Sequence, residues 1–395
     1  MSALALTDIL ALVEPGAEAP FPPEEFDRRI AKVRQVMHAK GIDLLLTTGA
    51  ENIFYLSGQQ TPGYYMFQCL AVPAQGACFL INRALESPNA RLQSVVTDIH
   101  GYTDDADPAI AVAEALKARG WQGKRVAIDR NSWFLTVNIY DTLTEAFGSL
   151  LDGSFIVEPI RRVKSPAELA QIELAARAND AGMAAGLAEM RAGVSENDVA
   201  AAILSASVRA GGEFVGMEPF VTSGPRSGVA HTTWKRRVVV PGDVVILETS
   251  ACYNRYHAAL YRTIFVGQVP ALAEDMYKVC DEALSAAIDT LRPGNTCADV
   301  HAAAQRVIDR HGYTDGFRKR SGYSMGISFA PDWGEGNILS LYRGVDVPLQ
   351  PGMVFHVPIT LRDYAKFTVA VSDTVCVTES APRPLSKLER VELRV

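Results

Sequence analysis

"ETSACYNRYHAALYRTIF", residues 248–265, reads as two β-strands joined by a tight turn. The run "DVVIL", 243–247, leads into it and should lie inside a sheet. A carboxylate at the end of such a strand needs a partner or a task, because an unpaired buried charge is costly. The two-residue period of a strand puts Glu248 and Ser250 on one face. His257 lies across the turn, placed to face Glu248. A structural pair of Glu248 with Arg255 or Arg262 is the competing reading.

Working outward, this hairpin sits among strands expected at 217–223, 243–249 and 258–266, with helices at about 271–291 and 297–311. Two further β-rich segments, 354–361 and 367–377, close the chain. Upstream, Ser165-Pro166 starts a long helix, and Ser195 and Asp198 are spaced like a capping box on a second helix that stops at Gly211. This order predicts an α+β domain with helices packed on one antiparallel sheet, spanning 161–395.

Residues 1–160 alternate differently. "FPPEEFDRRIAKVRQVMHAKG" is a helix opened by Pro22 and Pro23, apolar at Phe26, Ile30, Val33 and Met37, and ended by Gly41. Strands "DLLLTT", "CLAVP", "ACFLI", "RVAID" and "SFIVEPI" and helices "AIAVAEALKARG" and "FLTVNIYDTLTEAF" follow, which predicts an α/β domain.

The 395 residues are 48% hydrophobic and 21% charged, as in a soluble two-domain protein. A net charge of −7 argues against a nucleic acid partner, which needs a basic face. The cluster Lys235-Arg236-Arg237 reads as a solvated hairpin tip. No apolar run is long enough for a membrane span. Asp8 and Glu14 interrupt the apolar N-terminus, which lacks a basic region and so does not read as a signal peptide. The six cysteines form no C-x-x-C pair and fit a reducing cytoplasm.

Four stretches concentrate chemistry. "SGPRSGVAHTTW", 223–234, is a loop of small residues in which His231 is sterically free for a ligand, or is bonded to backbone in a turn. Glu248 is the second. "RSGYSMGISFAPDWGEGN", 320–337, is a long loop whose Tyr323 and Trp333 argue against disorder. "PGMVFHVPI", 351–359, carries His356, by itself more in keeping with a satisfied sheet histidine than a catalyst.

In this order, the four stretches resemble the pita-bread family of creatinase, aminopeptidase P, prolidase and methionine aminopeptidase. "GIDLLLTTGAENIFYLSG" is similar to its creatinase/prolidase-like N-terminal domain. The metallopeptidases of the family hold two metal ions with two aspartates, a histidine and two glutamates. At those positions this chain resembles them only in Glu248; the others fall on Ala259, Tyr323, Pro358 or a neighbour, and Ser372. The resemblance therefore implies no dinuclear metal and no other cofactor.

Creatinase is the family precedent for metal-free hydrolysis, and its catalytic histidine maps onto His231. Its glutamate before the "RT" is Tyr261 here. Ectoine hydrolases are more similar, sharing Tyr256, His257, Arg262, Thr263, Tyr323, Asp332, Trp333, Glu335 and His356. The stretch "NIFYLSGQQTPGYYMFQ" resembles their N-domain loop at Tyr65 and Gln68 and departs from it at Gln59-Gln60 and Pro62-Gly63.

The resemblance implies a metal-independent hydrolase of a carbon–nitrogen bond in a small amidine, guanidine or cyclic amide. In that expectation Glu248 and His257 hold water and His231 carries a proton to the leaving nitrogen. Tyr323 and His356 donate hydrogen bonds, Asp332 or Glu335 pairs with a cationic substrate, and Trp333, Tyr65 and Gln68 contact it. A homodimer is expected, with one N-domain loop reaching the other subunit's site and an exposed apolar patch at Tyr64, Tyr65, Met66 and Phe67. An Xaa-Pro peptidase, a lyase and a non-catalytic binding module stay open as alternatives.

Overall fold

The computed structural model describes residues 5–395 and divides into two compact units at Arg161/Arg162. Residues 1–4 of the N-terminal stretch lie outside the described residues. Among the described residues, no helix is long and apolar enough to cross a membrane.

The first unit runs α1 (Leu6–Ala11), α2 (Pro23–Lys40), β1 (Leu44–Thr47), α3 (Ala50–Ser57), β2 (Cys69–Pro73), β3 (Phe79–Arg83), α4 (Ser87–Gln93), β4 (Asp98–Tyr102), α5 (Pro108–Ala118), β5 (Val126–Ile128), α6 (Val137–Phe147), β6 (Leu151–Asp152) and α7 (Glu158–Arg161). Its six strands form one mixed sheet in the order β4-β3-β2-β1-β5-β6. Helix α2 buries Phe26, Val33 and Met37 completely, about 1.5–3 kcal/mol each. It ends at Gly41, whose φ of 65° is the left-handed conformation that glycine adopts without strain. The strand expected at 154–160 does not form. Only Leu151–Asp152 pairs with β5, Phe155 turns to φ 57°, and the chain enters α7. Ile156 and Val157 are apolar because they are buried, not because they lie in a ladder.

The second unit runs α8 (Pro166–Glu189), α9 (Glu196–Arg209), β7 (Phe220–Ser223), β8 (Val244–Tyr253), β9 (Tyr256–Phe265), α10 (Ala271–Thr290), α11 (Cys297–Arg310), β10 (Gly322–Ser324), β11 (Ser340–Leu341), β12 (Val354–His356), β13 (Ile359–Asp363), β14 (Phe367–Val371), β15 (Thr374–Cys376), β16 (Arg383–Pro384) and β17 (Leu393–Arg394). Capping boxes start three of its helices: Ser165 with Glu168, Ser195 with Asp198, and Thr296 with Asp299.

The single antiparallel sheet expected here is three sheets: β17-β9-β8-β7, β11-β10-β12-β15-β16, and the hairpin β13-β14. The segments 354–361 and 367–377 each break at the same level. Proline at 358 has no N–H to continue the ladder, and Ser372 leaves it to bridge Tyr261 instead. The hairpin packs one face, with Ile359, Leu361, Val369 and Val371, into a core shared with α10. Its other face meets β8 and β9, where Ala370 packs on Ile246 and Tyr261.

Candidate active site

Register fixes which side chains share a face. Phe220 pairs with Glu248 and Glu248 with Tyr261, so the three stand in one row across β7, β8 and β9. The next row is Thr222, Ile246 and Thr263. On the hairpin above, Thr360 pairs with Ala370 and Arg362 with Thr368, and these four point toward the sheet.

From Phe220 a chain of contacts runs round the cluster. Its ring stacks on His231 at 5.8 Å and meets the Trp333 indole at 5.4 Å. Trp333 Nε1 donates to Tyr323 Oη at 2.8 Å, Tyr323 Oη lies 2.9 Å from His356 Nδ1, and His356 Nε2 lies 2.6 Å from Ser372 Oγ. Ser372 returns to Tyr261 through its backbone. Indole only donates, so the Tyr323 hydroxyl accepts from it, and its own hydrogen is available to His356. His231, Glu248, Tyr323, Trp333 and His356 are thus brought together.

Their conditions differ. His231 is exposed at φ 57° and makes no hydrogen bond or ion pair among the described residues, so the backbone-bonded reading of it does not apply. Its loop is held from the other side: Thr368 N donates to Ser227 Oγ and Ala365 N to Gly228 O. Trp333 is a buried strut, 1% exposed, rather than an open wall. His356 is buried with both ring nitrogens engaged, so it holds Tyr323 and has no ring nitrogen left for a ligand. Burial and the nearby Lys319 charge keep it well below the usual histidine range, hence neutral.

Four expectations change. His257 pairs with Cys252, not Glu248, which puts it four residues along the strand, roughly 13 Å away. It is buried and neutral, with Nδ1 on Arg255 O at 3.0 Å and Nε2 accepting from Gly216 N at 3.1 Å. Asp332 caps its own loop, accepting from Trp333 N at 2.7 Å and Gly334 N at 3.1 Å. Glu335 is 2% exposed and ion-paired with Lys164 at 2.8 Å, with further bonds from Ser324 Oγ and Ile327 N. Both acids read as cation anchors serve the loop. Arg255 and Arg262, the suggested partners of Glu248, bind elsewhere: Arg255 to Phe214 O and Ser328 O, Arg262 to Asp373.

Two cations were missed. Lys319, half-buried, donates to Pro358 O at 2.7 Å, and the half-buried Arg362 rises from the hairpin. Both charges act on Glu248. Burial pushes the Glu248 carboxyl up to about 7 although Lys319 and Arg362 pull it down. Burial brings Lys319 down to about 8 while Glu248 supports its charge. Carboxyl and ammonium can therefore both exchange protons near neutral pH. The only sequence signal was indirect: basic residues at 319 and 362 in a chain whose acidic positions had turned neutral.

Tyr65 and Gln68 belong to the first unit. Tyr65 is 71% exposed on a short 3-10 turn, whereas Gln68 is 6% exposed. Phe67 is buried in that unit's core and Tyr64 packs edge-on against Phe134, so the apolar patch expected at 64–67 shrinks essentially to Tyr65.

A creatinase/prolidase-like domain followed by a pita-bread domain defines the class of protein. Residues 29–163 match the model of the creatinase/prolidase N-terminal domain, and residues 170–379 that of metallopeptidase family M24. The chain belongs to metallopeptidase family M24, a family of hydrolases. It is 27% identical over 395 residues to the ectoine hydrolase of Halomonas elongata, covering 94% of this chain and 97% of that one. It is 25% identical over 369 residues to an Xaa-Pro dipeptidase of Lactobacillus delbrueckii, covering 92% and 98%. A dipeptidase structure from Mycobacterium ulcerans superposes with a TM-score of 0.82 at 25% identity, covering 95% and 99%.

The family name implies metal, and the donor set here does not suit it. Glu248, Ala259, Tyr323, Pro358 and Ser372 offer one carboxylate, and the charges that act on it are two cations, which oppose binding of a metal pair. Among the described residues, no three His, Cys, Asp or Glu side chains gather as a metal site.

Proposed function

We propose that the chain is a metal-independent hydrolase of a carbon–nitrogen bond in a small non-peptide molecule: an amidine, a guanidine or a cyclic amide. The observation that carries this is Glu248, one carboxylate where the family has five metal ligands, under the charges of Lys319 and Arg362. Glu248 takes a proton from water as its oxygen bonds to the substrate carbon. His231 gives a proton to the leaving nitrogen as the carbon–nitrogen bond breaks. Tyr323, held by Trp333 and His356, and Lys319 stabilise the charge that develops on the substituents of the attacked carbon. Similarity to ectoine hydrolase supports the substrate class.

The dipeptidase relatives supply the rival reading, and a substrate panel separates the two. Purified chain is assayed on ectoine, creatine and Xaa-Pro dipeptides, with and without chelator. Turnover of a cyclic amidine or guanidine that survives chelation is expected. Dipeptide turnover that is lost on chelation overturns the proposal, and release of product without incorporation of solvent oxygen makes the enzyme a lyase.

A further inference from the structure

Where the β13–β14 hairpin meets the β7–β9 face, four polar side-chain atoms have no partner within the protein. Thr222 Oγ1, Thr360 Oγ1, Thr368 Oγ1 and Arg362 Nε are all buried and make no hydrogen bond. They are not scattered. Thr222 stands one row from Glu248 on the sheet face, and Thr360, Arg362 and Thr368 share the hairpin face that meets it. A buried polar atom without a partner costs on the order of 1–3 kcal/mol, and folds retain such groups mainly where something else meets them.

The missing partner has a definable chemistry. Arginine and lysine only donate, and threonine hydroxyls can donate, so the unpaired capacity is mostly donor. Arg362 makes no ion pair among the described residues, and Lys319 has spent one of its three N–H groups, on Pro358 O. With Glu248 ionised, Lys319 and Arg362 leave one positive charge over. A planar guanidinium fork and an ammonium match the two oxygens of a carboxylate.

We infer that Lys319, Arg362 and the hydroxyls of Thr222, Thr360 and Thr368 form a seat for the carboxylate of a substrate whose scissile carbon lies over Glu248. The inference rests on reading this cluster as the active site and adds what that site selects: an acid, held by its carboxylate. It also replaces the expected emphasis on cation recognition by Asp332 and Glu335, both committed to the loop. The hairpin thereby becomes the specificity element, and Arg362 its anchor.

The test reads binding, and its acetate arm, which has no carbon–nitrogen bond to break, is independent of turnover. Ectoine and its carboxamide are titrated calorimetrically into the intact chain, and acetate is followed by thermal shift as a probe without a ring. Wild type should prefer the carboxylate by roughly tenfold or more, as expected for a charge-assisted pair. Arg362→Gln should erase that preference and the acetate shift, and Arg362→Lys should restore part of both. Thr360→Val should raise the melting temperature of the free protein, since it removes an unpartnered hydroxyl, yet weaken carboxylate binding. Carboxylate and carboxamide bound alike, or acetate shifting wild type and Arg362→Gln equally, overturns the seat. Should Glu248→Gln retain full turnover while the carboxylate preference persists, the catalytic reading falls and the seat stands.

Discussion

Arg362 acts on the charge of Glu248 without closing on it as an ion pair. A closed pair would hold the carboxylate ionised and occupied. At a distance, the guanidinium only moderates the effect of burial, and Glu248 stays near 7, able to take or give a proton.

That balance fixes a pH dependence with a definite sign. The folded-state pKa of Glu248 is raised from 4.5 to about 7. Its contribution to stability is therefore fully present below about 4.5 and is lost as pH rises through 7. Glu248→Gln should be more stable than wild type at pH 8, by on the order of 1–3 kcal/mol, and level with it at pH 4.5. Its kcat should fall by on the order of 10²–10⁴. Melting curves at the two pH values and one steady-state assay check this. A variant less stable at pH 8 contradicts the burial of the charge.

The two loop-proximal histidines should separate cleanly. His231 makes no hydrogen bond among the described residues and only stacks on Phe220, so His231→Ala should keep the melting temperature within a degree or two while kcat drops by on the order of 10²–10⁴. His257→Ala leaves Gly216 N–H and Arg255 O without their partner and should cost about 2–4 kcal/mol of stability. Chemical denaturation paired with kinetics distinguishes them, and the reverse pattern refutes both assignments.

We propose a homodimer in which the exposed Tyr65 turn of one subunit serves the other's site. Tyr65→Ala and His231→Ala chains, each of low activity, should recover part of it when mixed and reassembled. Light scattering that gives a monomer rejects the arrangement.

The hairpin of 248–265 was legible because two runs rich in β-branched and aromatic residues meet at a tight turn, and the Ser165-Pro166 start of α8 and the capping box of α9 were legible because they are local. His231, Glu248 and Tyr323 stood out as unusual residues in telling places. What stayed hidden was partnership over distance. Glu335 finds Lys164 across 171 residues, so an acid that reads as free is already neutralised. The charge of Arg362 reaches Glu248 because the strands break at Pro358 and Ser372 and fold the hairpin onto the sheet, and Lys319 is held nearby on Pro358 O. His257 faces the same way as Glu248, but an offset along the strand is a matter of register, which composition leaves open.

The stretch 325–337 that follows β10 is tied down by its own acids. Asp332 ties two of its amides, Glu335 locks Lys164 and Ser324, and a side chain at Gly326 would come within 2.6 Å of the Glu335 carboxylate. A segment bound in this way has little conformational freedom left to surrender when a small molecule arrives. Its ordering entropy is settled at folding, so more of the binding free energy remains for the reacting atoms.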